Sequence, residues 1–349
     1  MLNIAYVGFG KSTNRYHLPY VALREEIKVG RVVTPTLGKR PVEQAGLEAT
    51  GTIFSTDIED IINDDQIDVA VVVTPATAHY ETVKTLLLGG KNVLVDKPMT
   101  ETLAQAQELV DLARERDLFV MPFQNRRFDS DYLTLQHVLK TGYVGRPVEL
   151  ELHMDHFRPN DATAATTPIN GNLFGHGVHL VDQIVALFGR PKQVSYDVRS
   201  VRDLANGADD QFEVGLHYDD AFKATVQATE TALVHYPKWV LHGTKGTYIK
   251  YNIDQQEYDL KAGIMPGTAG FGEDAPQDFG QLTYLNQNGD RLEKIMPTIN
   301  GDYGRVYDAV YDTLVNGAPK LVSDDEMVTV IEILAGGFTQ NGPHVLTLN

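Results

Sequence analysis

The strongest constraint on the fold is a regular alternation of short strand-like and helix-like segments over residues 1–122. Uninterrupted runs of Val, Ile and Leu indicate strands that are buried on both faces. The predicted strands are Asn3–Val7, Ile27–Val33, Ile67–Val73, Asn92–Val95 and Leu118–Phe123. Strands that alternate with helices pair in parallel through right-handed crossovers, so this region predicts a doubly wound α/β domain.

Helix starts are visible between these strands. Thr56 with Glu59 has the spacing of a capping box, and it predicts a short helix. Thr102 with Gln105 has the same spacing and predicts a longer one. In this longer helix, four apolar residues recur at helical spacing and are expected to face the sheet: Leu103, Ala106, Val110 and Ala113.

The pattern changes after residue 122, where a polar segment begins. We predict a dinucleotide-binding domain over residues 1–122 and an α+β domain over residues 123–349. Strands in the second domain are predicted at Pro147–His156, Gln193–Arg202, Gln211–Tyr218, Ala221–Thr229, Lys238–His242 and Thr247–Lys250. Helices are predicted at 130–141 (ending at Gly142), 173–187, 302–316 and 324–338, and a loop at 254–280.

Short connections, such as the turn Tyr218-Asp219-Asp220, favour antiparallel pairing in the second domain. The sequence therefore predicts a large, mostly antiparallel sheet there. Helices must cover one face of such a sheet, and a second subunit could cover the other. This predicts a homodimer or homotetramer assembled through the C-terminal sheet.

Composition excludes several classes of function. The formal net charge of −17 argues against nucleic acid and anionic membrane surfaces as partners, because both are bound through Lys and Arg. The chain has no cysteine, so thiolate chemistry and disulfides are excluded. The N-terminus lacks the pattern of a secretion signal, and no apolar run is long enough for a membrane helix. A cytoplasmic protein is expected.

A glycine-rich loop follows the first strand and reads Gly8-Phe9-Gly10-Lys11-Ser12-Thr13. The first two glycines match the G-x-G-x-x-G pattern of dinucleotide-binding domains, and Thr13 stands at the third glycine position. Gly8 would permit a tight turn, while Gly10 would let the backbone approach a pyrophosphate. Lys11 and Ser12 could contact the phosphates directly. Thr13 is expected to hold the following helix slightly away from the strand.

The end of the second strand distinguishes NAD from NADP. NAD enzymes usually have an acidic residue there to bind the ribose hydroxyls. This chain has Thr34, Thr36, Lys39 and Arg40, and the next carboxylate is Glu43. Hydroxyls and cations suit a 2′-phosphate, so NADP is predicted, with NAD as the other possibility. The same residues are also compatible with an exposed basic turn.

Two further segments are expected at the carboxyl edge of the sheet, where ligands of such domains bind. Thr74 and Pro75 follow the third predicted strand, and His79 begins the next helix. His79 would border the cofactor or serve only in capping and packing. The fourth predicted strand ends with Asp96 and Lys97, which would place both beside a cofactor. On its own, Lys97 could equally be a surface lysine.

Four segments in this order resemble the Gfo/Idh/MocA family of glucose–fructose oxidoreductases and inositol dehydrogenases. They are Gly8–Gly10, Thr74-Pro75 with His79, Gly90–Pro98 and Gly177–Asp182. Each segment is common, whereas the combination spans the whole chain and is specific. Three further segments resemble a subgroup that includes NADP-using scyllo-inositol dehydrogenases: Asn125–Arg127, His156–Pro159 and Thr247–Tyr251.

The resemblance implies hydride transfer between a nicotinamide and a secondary alcohol or ketone of a cyclitol or sugar. Lys97 and His179 match the two catalytic positions of the family. Many members carry an aspartate four residues before that histidine, but this chain has Gly175 there. Asp182 lies three residues after His179, on the same face of a helix, and could orient it instead.

Alcohol oxidation requires a group that accepts the hydroxyl proton. Lys97 is the first candidate, provided that burial and the oxidised nicotinamide lower its pKa from about 10.4 towards about 7–8. His179 is the second candidate, because an ordinary imidazole pKa of about 6.5 already suits proton exchange. The alternative for His179 is a histidine that only packs in its helix.

Arg126, His156, Arg158 and Asp182 are the candidate substrate-binding residues. They supply donors and an acceptor that a polyol needs, although salt bridges and packing would use the same residue types. No set of His, Asp and Glu shows the spacing of a metal site, so no metal is expected.

Two other functions remain open. The first is a regulatory protein that senses a dinucleotide or sugar without turnover, since a fold does not guarantee catalysis. The second is an enzyme with the same cofactor that reduces a different carbonyl or an imine.

Overall fold

The computed structural model describes residues 1–160, 167–203, 208–219 and 221–348. The chain forms two compact units, each built from several segments. The first contains Met1–Asn125, Ile264–Thr268 and Tyr303–Ile331. The second contains Arg126–Gly263, Ala269–Asp302 and Glu332–Asn349. The chain therefore returns to the first unit twice, whereas the sequence pattern suggested a single division after residue 122.

The first unit contains a six-stranded parallel sheet in the order β3-β2-β1-β4-β5-β6, which is the usual order of a dinucleotide-binding fold. Its strands are Leu2–Val7 (β1), Ile27–Val33 (β2), Ile53–Ser55 (β3), Val69–Val72 (β4), Asn92–Val95 (β5) and Val120–Pro122 (β6). The predicted doubly wound α/β sheet is confirmed. The edge strand β3 was not predicted, because it has only three residues and two of them are polar or exposed.

Five helices of this unit alternate with its strands along the chain: Leu18–Val21 (α1), Pro41–Ala49 (α2), Glu59–Ile62 (α3), His79–Leu88 (α4) and Leu103–Glu115 (α5). The capping box at Thr102 and Gln105 is confirmed, with both reciprocal bonds at 3.2 Å. The face predicted for α5 needs one correction. Leu103 in the first turn is 37% exposed, while Leu109 is fully buried.

The predicted capping box at Thr56 is wrong. The backbone N–H of Glu59 donates instead to the Asp57 carboxylate at 3.0 Å. An aspartate two residues upstream satisfies the same orphan donor of a helix start, so the alternative cap is physically equivalent.

The second unit contains a nine-stranded sheet in the order β14-β13-β12-β11-β7-β10-β9-β8-β15. Its strands are Pro147–His153 (β7), Gln193–Arg199 (β8), Gln211–His217 (β9), Lys223–Thr229 (β10), Trp239–Gly243 (β11), Gly246–Lys250 (β12), Gly280–Leu285 (β13), Arg291–Met296 (β14) and His344–Thr347 (β15). Only β7 and β10 pair in parallel, so the predicted mostly antiparallel sheet is confirmed. Asp220, in the predicted turn between β9 and β10, lies outside the described residues.

The remaining helices are Ser130–Thr141 (α6), Val178–Phe188 (α7), Gln255–Ala262 (α8), Arg305–Asn316 (α9) and Asp324–Gly336 (α10). Helix α8 corrects the predicted loop at 254–280. The Asp254 side chain accepts a bond from the Gln256 backbone at the start of α8, and Gly263 ends it with φ +83. Strands β13, β14 and β15 were not predicted either. In the described part of the chain, no helix is long and apolar enough to cross a membrane.

Candidate active site

The glycine loop of the first unit fits a phosphate-binding role. Gly8 follows β1 with φ +109, and a Cβ there would lie 2.4 Å from the Val73 carbonyl oxygen beyond β4. Only glycine satisfies both constraints. A Cβ on Gly10, in contrast, would meet no atom within 4 Å. The backbone at Gly10 therefore borders open space that a pyrophosphate could fill.

The other residues of this loop have different surroundings. Phe9 is buried and packs edge-on against Phe54, with ring centroids 5.1 Å apart. Thr13 is fully buried, and its hydroxyl donates to the Gly8 carbonyl at 3.0 Å. It thus closes the loop onto one turn of π-helix, which precedes α1. Lys11 is exposed, as a phosphate contact requires.

Asp96 connects this loop to the end of β5. One carboxylate oxygen accepts a bond from the Ser12 hydroxyl at 2.8 Å, and the other accepts from the Lys97 backbone N–H at 2.8 Å. The His17 Nε2 lies 3.9 Å from the first of these oxygens. Burial alone would raise the pKa of Asp96, but His17 and the nearby charges of Lys97 and His79 hold it well below its usual value. Asp96 is therefore ionised at neutral pH.

A buried hydrogen-bonded chain continues from His17. Its Nδ1 lies 2.8 Å from the Tyr307 hydroxyl, which lies 2.8 Å from the Tyr6 hydroxyl. Burial raises the pKa of both tyrosines, so both stay neutral. The imidazole also stacks on Phe123 at 4.1 Å. His17 is thus fixed on each side, and it presents Nε2 to Asp96.

His79 joins the ends of two strands. Its Nδ1 lies 2.7 Å from the Pro98 carbonyl oxygen and its Nε2 lies 2.9 Å from the Thr74 carbonyl oxygen. Both ring nitrogens are therefore used in bracing the loops after β4 and β5. The Thr74 hydroxyl is buried without a hydrogen-bond partner among the described residues. Pro75 is exposed.

Lys97 is the second residue after β5, and its peptide bond to Pro98 is cis. At the end of β2, the Thr34 and Thr36 hydroxyls lie 3.0 Å apart. Lys39 is exposed, and the Arg40 guanidinium donates to Glu43 at 3.2 Å. The four residues predicted for the 2′-phosphate thus form one polar segment, although Glu43 neutralises part of its charge.

In the second unit, His179 is buried near the start of α7, which follows one turn of π-helix over Leu173–Gly177. Gly175 lies in that turn, and a Cβ there would meet no atom within 4 Å. Packing therefore does not explain why this chain has glycine at position 175 where many family members have aspartate. Both oxygens of Asp182 accept bonds from the Arg127 guanidinium, at 2.8 and 2.9 Å. Asp182 therefore anchors Arg127, a partner that the sequence did not suggest.

Arg126 also has buried partners. Its guanidinium lies 3.2 Å from Asp129 and 3.0 Å from Glu257. These ion pairs hold Arg126 in place, and its role as a substrate ligand stays a prediction.

His156 and Arg158 meet around the buried carboxylate of Glu230. The His156 ring stacks on His176, with centroids 4.9 Å apart. Their Nδ1 atoms lie 3.9 and 3.7 Å from one Glu230 oxygen, and Arg158 lies 3.4 Å from the other. The donor atoms of the two histidines and Glu230 lie within 4.8 Å of one another, a metal-compatible grouping that sequence spacing did not predict. The Arg158 guanidinium already pairs with the Glu230 carboxylate, and its positive charge would repel a metal ion at this position.

The same region of the second unit contains a cavity of about 390 Å³. Its polar lining comes from the end of β7, the segment before β11, and α8: His153, Asp155, His156, His235, Lys238 and Lys261. Burial, followed by the cations Arg158 and Lys261, lowers the pKa of His156 to about 4. His156 is therefore neutral at physiological pH, and it can both donate and accept a hydrogen bond.

Sequence reasoning missed several of these residues. His17, Glu230 and Lys238 carry no recognisable motif, and Arg127 was noted only within the segment Asn125–Arg127. Their surroundings come from residues that are distant in the chain. Asp96 was predicted as a cofactor-binding residue, but its bond to Ser12 was not.

A six-stranded parallel sheet with a glycine loop after β1, followed in the chain by a mostly antiparallel sheet, defines a dinucleotide-binding oxidoreductase architecture. Comparison with known proteins identifies the particular group. The sequence model for the oxidoreductase family NAD-binding Rossmann fold matches residues 2–124, and that for the C-terminal alpha/beta domain matches residues 136–341. The chain belongs to the Gfo/Idh/MocA oxidoreductase family.

Its relatives include enzymes and proteins without a known substrate. An uncharacterized oxidoreductase of Escherichia coli, YhhX, is 46% identical over 100% of this chain and 99% of its own. The scyllo-inositol 2-dehydrogenase (NADP(+)) IolW of Bacillus subtilis is 28% identical over 95% of this chain and 92% of its own. The crystal structure of an oxidoreductase from Bacillus cereus is 46% identical, with a TM-score of 0.96 over 100% of this chain and 99% of that one.

Proposed function

We propose that this protein is an NADP-dependent dehydrogenase that interconverts a secondary alcohol and a ketone on a sugar or cyclitol. The observation that carries the proposal is the link through Asp96. This carboxylate ties the glycine loop, through Ser12, to the backbone of Lys97. A proton-accepting side chain is thereby fixed within the same unit as the dinucleotide-binding loop.

The residues present fit a nicotinamide dinucleotide. The open space above Gly10 and the exposed Lys11 suit the pyrophosphate, since the backbone can approach it closely. Thr34, Thr36, Lys39 and Arg40 would hold the 2′-phosphate of NADP. When bound, the nicotinamide supplies the hydride acceptor or donor.

The chain itself must handle the proton. In the oxidative direction, the hydroxyl proton passes to Lys97 while the carbon loses its hydride, which leaves the ketone. The ionised Asp96 holds the Lys97 backbone in place, and His79 braces the following proline. His179 is the second proton-exchanging group of the proposal. An imidazole accepts a proton in its neutral form and returns it in its protonated form, so it can serve both directions of the reaction.

The substrate class rests on the hydrogen-bonding groups of the second unit and on the scyllo-inositol activity named for one relative. Polyols need several donors and acceptors, and the cavity beside His156 supplies them. Arg126, His156, Arg158 and Asp182 are the proposed substrate-binding group.

The test is turnover with a substrate panel. Purified protein would be given NADP or NAD with inositols, inososes and aldoses, and the absorbance of the reduced nicotinamide would be followed. We expect turnover with at least one polyol and a preference for NADP. If the protein binds dinucleotide tightly but turns over no substrate, the regulatory alternative is correct. The observation that favours the regulatory alternative is Gly175, which stands where many family members have an aspartate.

We also propose that the protein is a homodimer or homotetramer assembled through the nine-stranded sheet. Exposed apolar residues on the outer strands β13 and β14 support this assembly: Leu285, Leu292 and Ile295. Light scattering coupled to gel filtration gives the mass directly, and a monomer at micromolar concentration would contradict the proposal.

A further inference from the structure

The cavity in the second unit contains an unusual buried cation. Lys238 is 2% exposed and lines the cavity, yet its ammonium nitrogen has no hydrogen-bond partner among the described residues. The ammonium lies over the ring of Trp239, with the ring centroid 5.6 Å from the nitrogen. A buried ammonium normally has hydrogen-bonding acceptors around it, because its desolvation is otherwise uncompensated.

The neighbouring carboxylates of Asp131, Asp129 and Asp155 do not bond to Lys238 directly. One oxygen of Asp131 accepts a bond from the Trp239 ring nitrogen at 2.9 Å, while the other is buried without a hydrogen-bond partner among the described residues. Asp129 pairs with Arg126 at 3.2 Å. They attract Lys238 only at a distance. Burial outweighs this attraction and lowers the pKa of Lys238. A negatively charged group in the cavity would reverse that balance.

Other donors on the cavity wall show the same pattern. His153 is 4% exposed, and neither ring nitrogen has a hydrogen-bond partner among the described residues, although Nε2 lies 3.6 Å from a Glu151 carboxylate oxygen. The Nδ1 of His156 is also buried without one. Lys261 adds a second lining cation, which pairs with Glu257 at 3.2 Å. The lining carboxylate, Asp155, accepts a bond from the Tyr236 backbone at 3.1 Å. The unused donors of the wall are therefore the ammonium of Lys238 and the single N–H that each neutral imidazole can turn towards a ligand.

We propose that this cavity binds an oxyanion carried by the substrate, a carboxylate or a phosphate, with Lys238 as its counter-charge and the neutral His153 and His156 as further donors. The preferred substrate is then an acidic polyol, such as a sugar acid or a sugar phosphate, which binds more tightly than a neutral cyclitol. This assignment rests on the proposed function for the alcohol chemistry. The anion site itself stands on the geometry of the second unit alone.

A neutral hydroxyl would satisfy these groups less well. It can accept a hydrogen bond from Lys238, but it brings no charge to offset the buried ammonium. A carboxylate or phosphate offers two or three strong acceptor oxygens at once. The volume of about 390 Å³ accommodates a monosaccharide-sized ligand that carries such a group.

The test compares binding of matched acidic and neutral polyols without requiring turnover. Isothermal titration would use D-gluconate, D-glucuronate and D-glucose 6-phosphate against D-glucose and myo-inositol. The variants are Lys238→Met and the control Lys192→Met, which changes an exposed lysine paired with Asp219. We expect at least one acidic polyol to bind about 10-fold or more tightly than its neutral counterpart. Lys238→Met should abolish that preference, and Lys192→Met should retain it.

The outcomes separate the two proposals. Equal binding of acidic and neutral polyols, or an unchanged preference in Lys238→Met, overturns the anion site. Turnover of neutral polyols without anion binding leaves the proposed function intact and removes this inference. Selective anion binding without turnover of any substrate supports the anion site and contradicts the proposed dehydrogenase function. The carboxylate and phosphate arms show which oxyanion is preferred.

Folding of the variant is a separate control. Replacing an uncompensated buried ammonium with an apolar chain of similar length is expected to leave the melting temperature unchanged or raise it. Lys238→Gln, which keeps a donor but removes the charge, provides the same comparison if the methionine variant does not fold.

Discussion

Two buried charges in this protein have opposite surroundings. In the first unit, both oxygens of Asp96 accept hydrogen bonds from the chain itself, and His17 stands beside them. In the second unit, the Lys238 ammonium lies in a cavity wall without a hydrogen-bond partner among the described residues. The Asp96 carboxylate is thus bonded within the chain, whereas the Lys238 ammonium is the proposed contact for a bound anion.

The difference shows how one chain can combine a fixed reaction with an adjustable specificity. In the cofactor-binding unit, both oxygens of Asp96 are bonded within the chain, and these bonds link the glycine loop to the residues after β5. The cavity of the second unit leaves donors unused, so a ligand of matching chemistry gains their full hydrogen-bonding energy.

The largest expected effect comes from Lys97→Met, which removes the proposed base and keeps a chain of similar length. We expect kcat to fall by about 10³-fold, because general-base catalysis contributes about 10²- to 10⁴-fold. NADP should still bind, since the glycine loop and Asp96 are unchanged. Steady-state kinetics and dinucleotide titration check this, with Lys192→Met as the control. Unimpaired turnover would remove Lys97 from the mechanism.

Asp96→Asn tests how far the first unit depends on its buried carboxylate. We expect the free energy of unfolding at pH 7 to fall by about 1–3 kcal/mol, because charge-assisted bonds from Ser12 and Lys97 are weakened. Urea unfolding measures the change. The exposed Asp219→Asn should stay within about 0.5 kcal/mol of the wild type.

The same pair of variants makes a pH prediction. The pKa of Asp96 is lower in the folded than in the unfolded state. Its contribution to stability is therefore complete above the ordinary carboxyl pKa of about 4 and is lost as the pH falls towards the folded-state pKa. The difference in the free energy of unfolding between wild type and Asp96→Asn should therefore narrow below about pH 4. If this difference widened on acidification, the conclusion that Asp96 is ionised in the folded protein would be wrong.

A smaller effect is expected from the double variant Lys39→Ala/Arg40→Ala. Loss of the two cations should raise the KM for NADP by about 10-fold and leave the KM for NAD unchanged. Arg40 already shares its charge with Glu43, so the effect is moderate. Lys28→Ala, at an exposed position in β2, is the control. Equal changes for both dinucleotides would show that these residues do not distinguish them.

The smallest effect is expected from Gly175→Asp, which restores an acid four residues before His179. A Cβ there meets open space, so the free energy of unfolding should change by less than about 1 kcal/mol. A carboxylate beside His179 would raise the pKa of that imidazole. The pH profile of kcat should therefore shift upwards, and an unchanged profile would mean that His179 does not carry the proton.

The chain pattern predicted the parallel sheet well because its strands are buried on both faces. Val93–Val95 are fully buried, as expected for a strand that is covered on both faces, and the alternation of such runs with helical segments predicted the fold class. Strands β13 and β14 and helix α8 were missed for the opposite reason. Five of the six residues of β14 are exposed, and α8 carries little apolar periodicity.

Some residues of the candidate site were also predictable from the sequence, and others were not. The glycine loop, Asp96 and Lys97 were predictable because backbone geometry and strand ends place them together. Glu230 and Lys238 were not predictable, because no local pattern brings them to His156 and the cavity. The partner of Asp182 was likewise invisible, since Arg127 is 55 residues away in the chain.

The sequence by itself determined the doubly wound first sheet, the glycine loop and the lysine at the end of β5. These are local properties, set by hydrophobic pattern and by the backbone freedom of glycine. Only the tertiary structure decided which polar groups are satisfied. Whether a buried charge finds a partner depends on residues brought together from distant segments, and this is why the unpaired ammonium of Lys238 appears only in the folded chain.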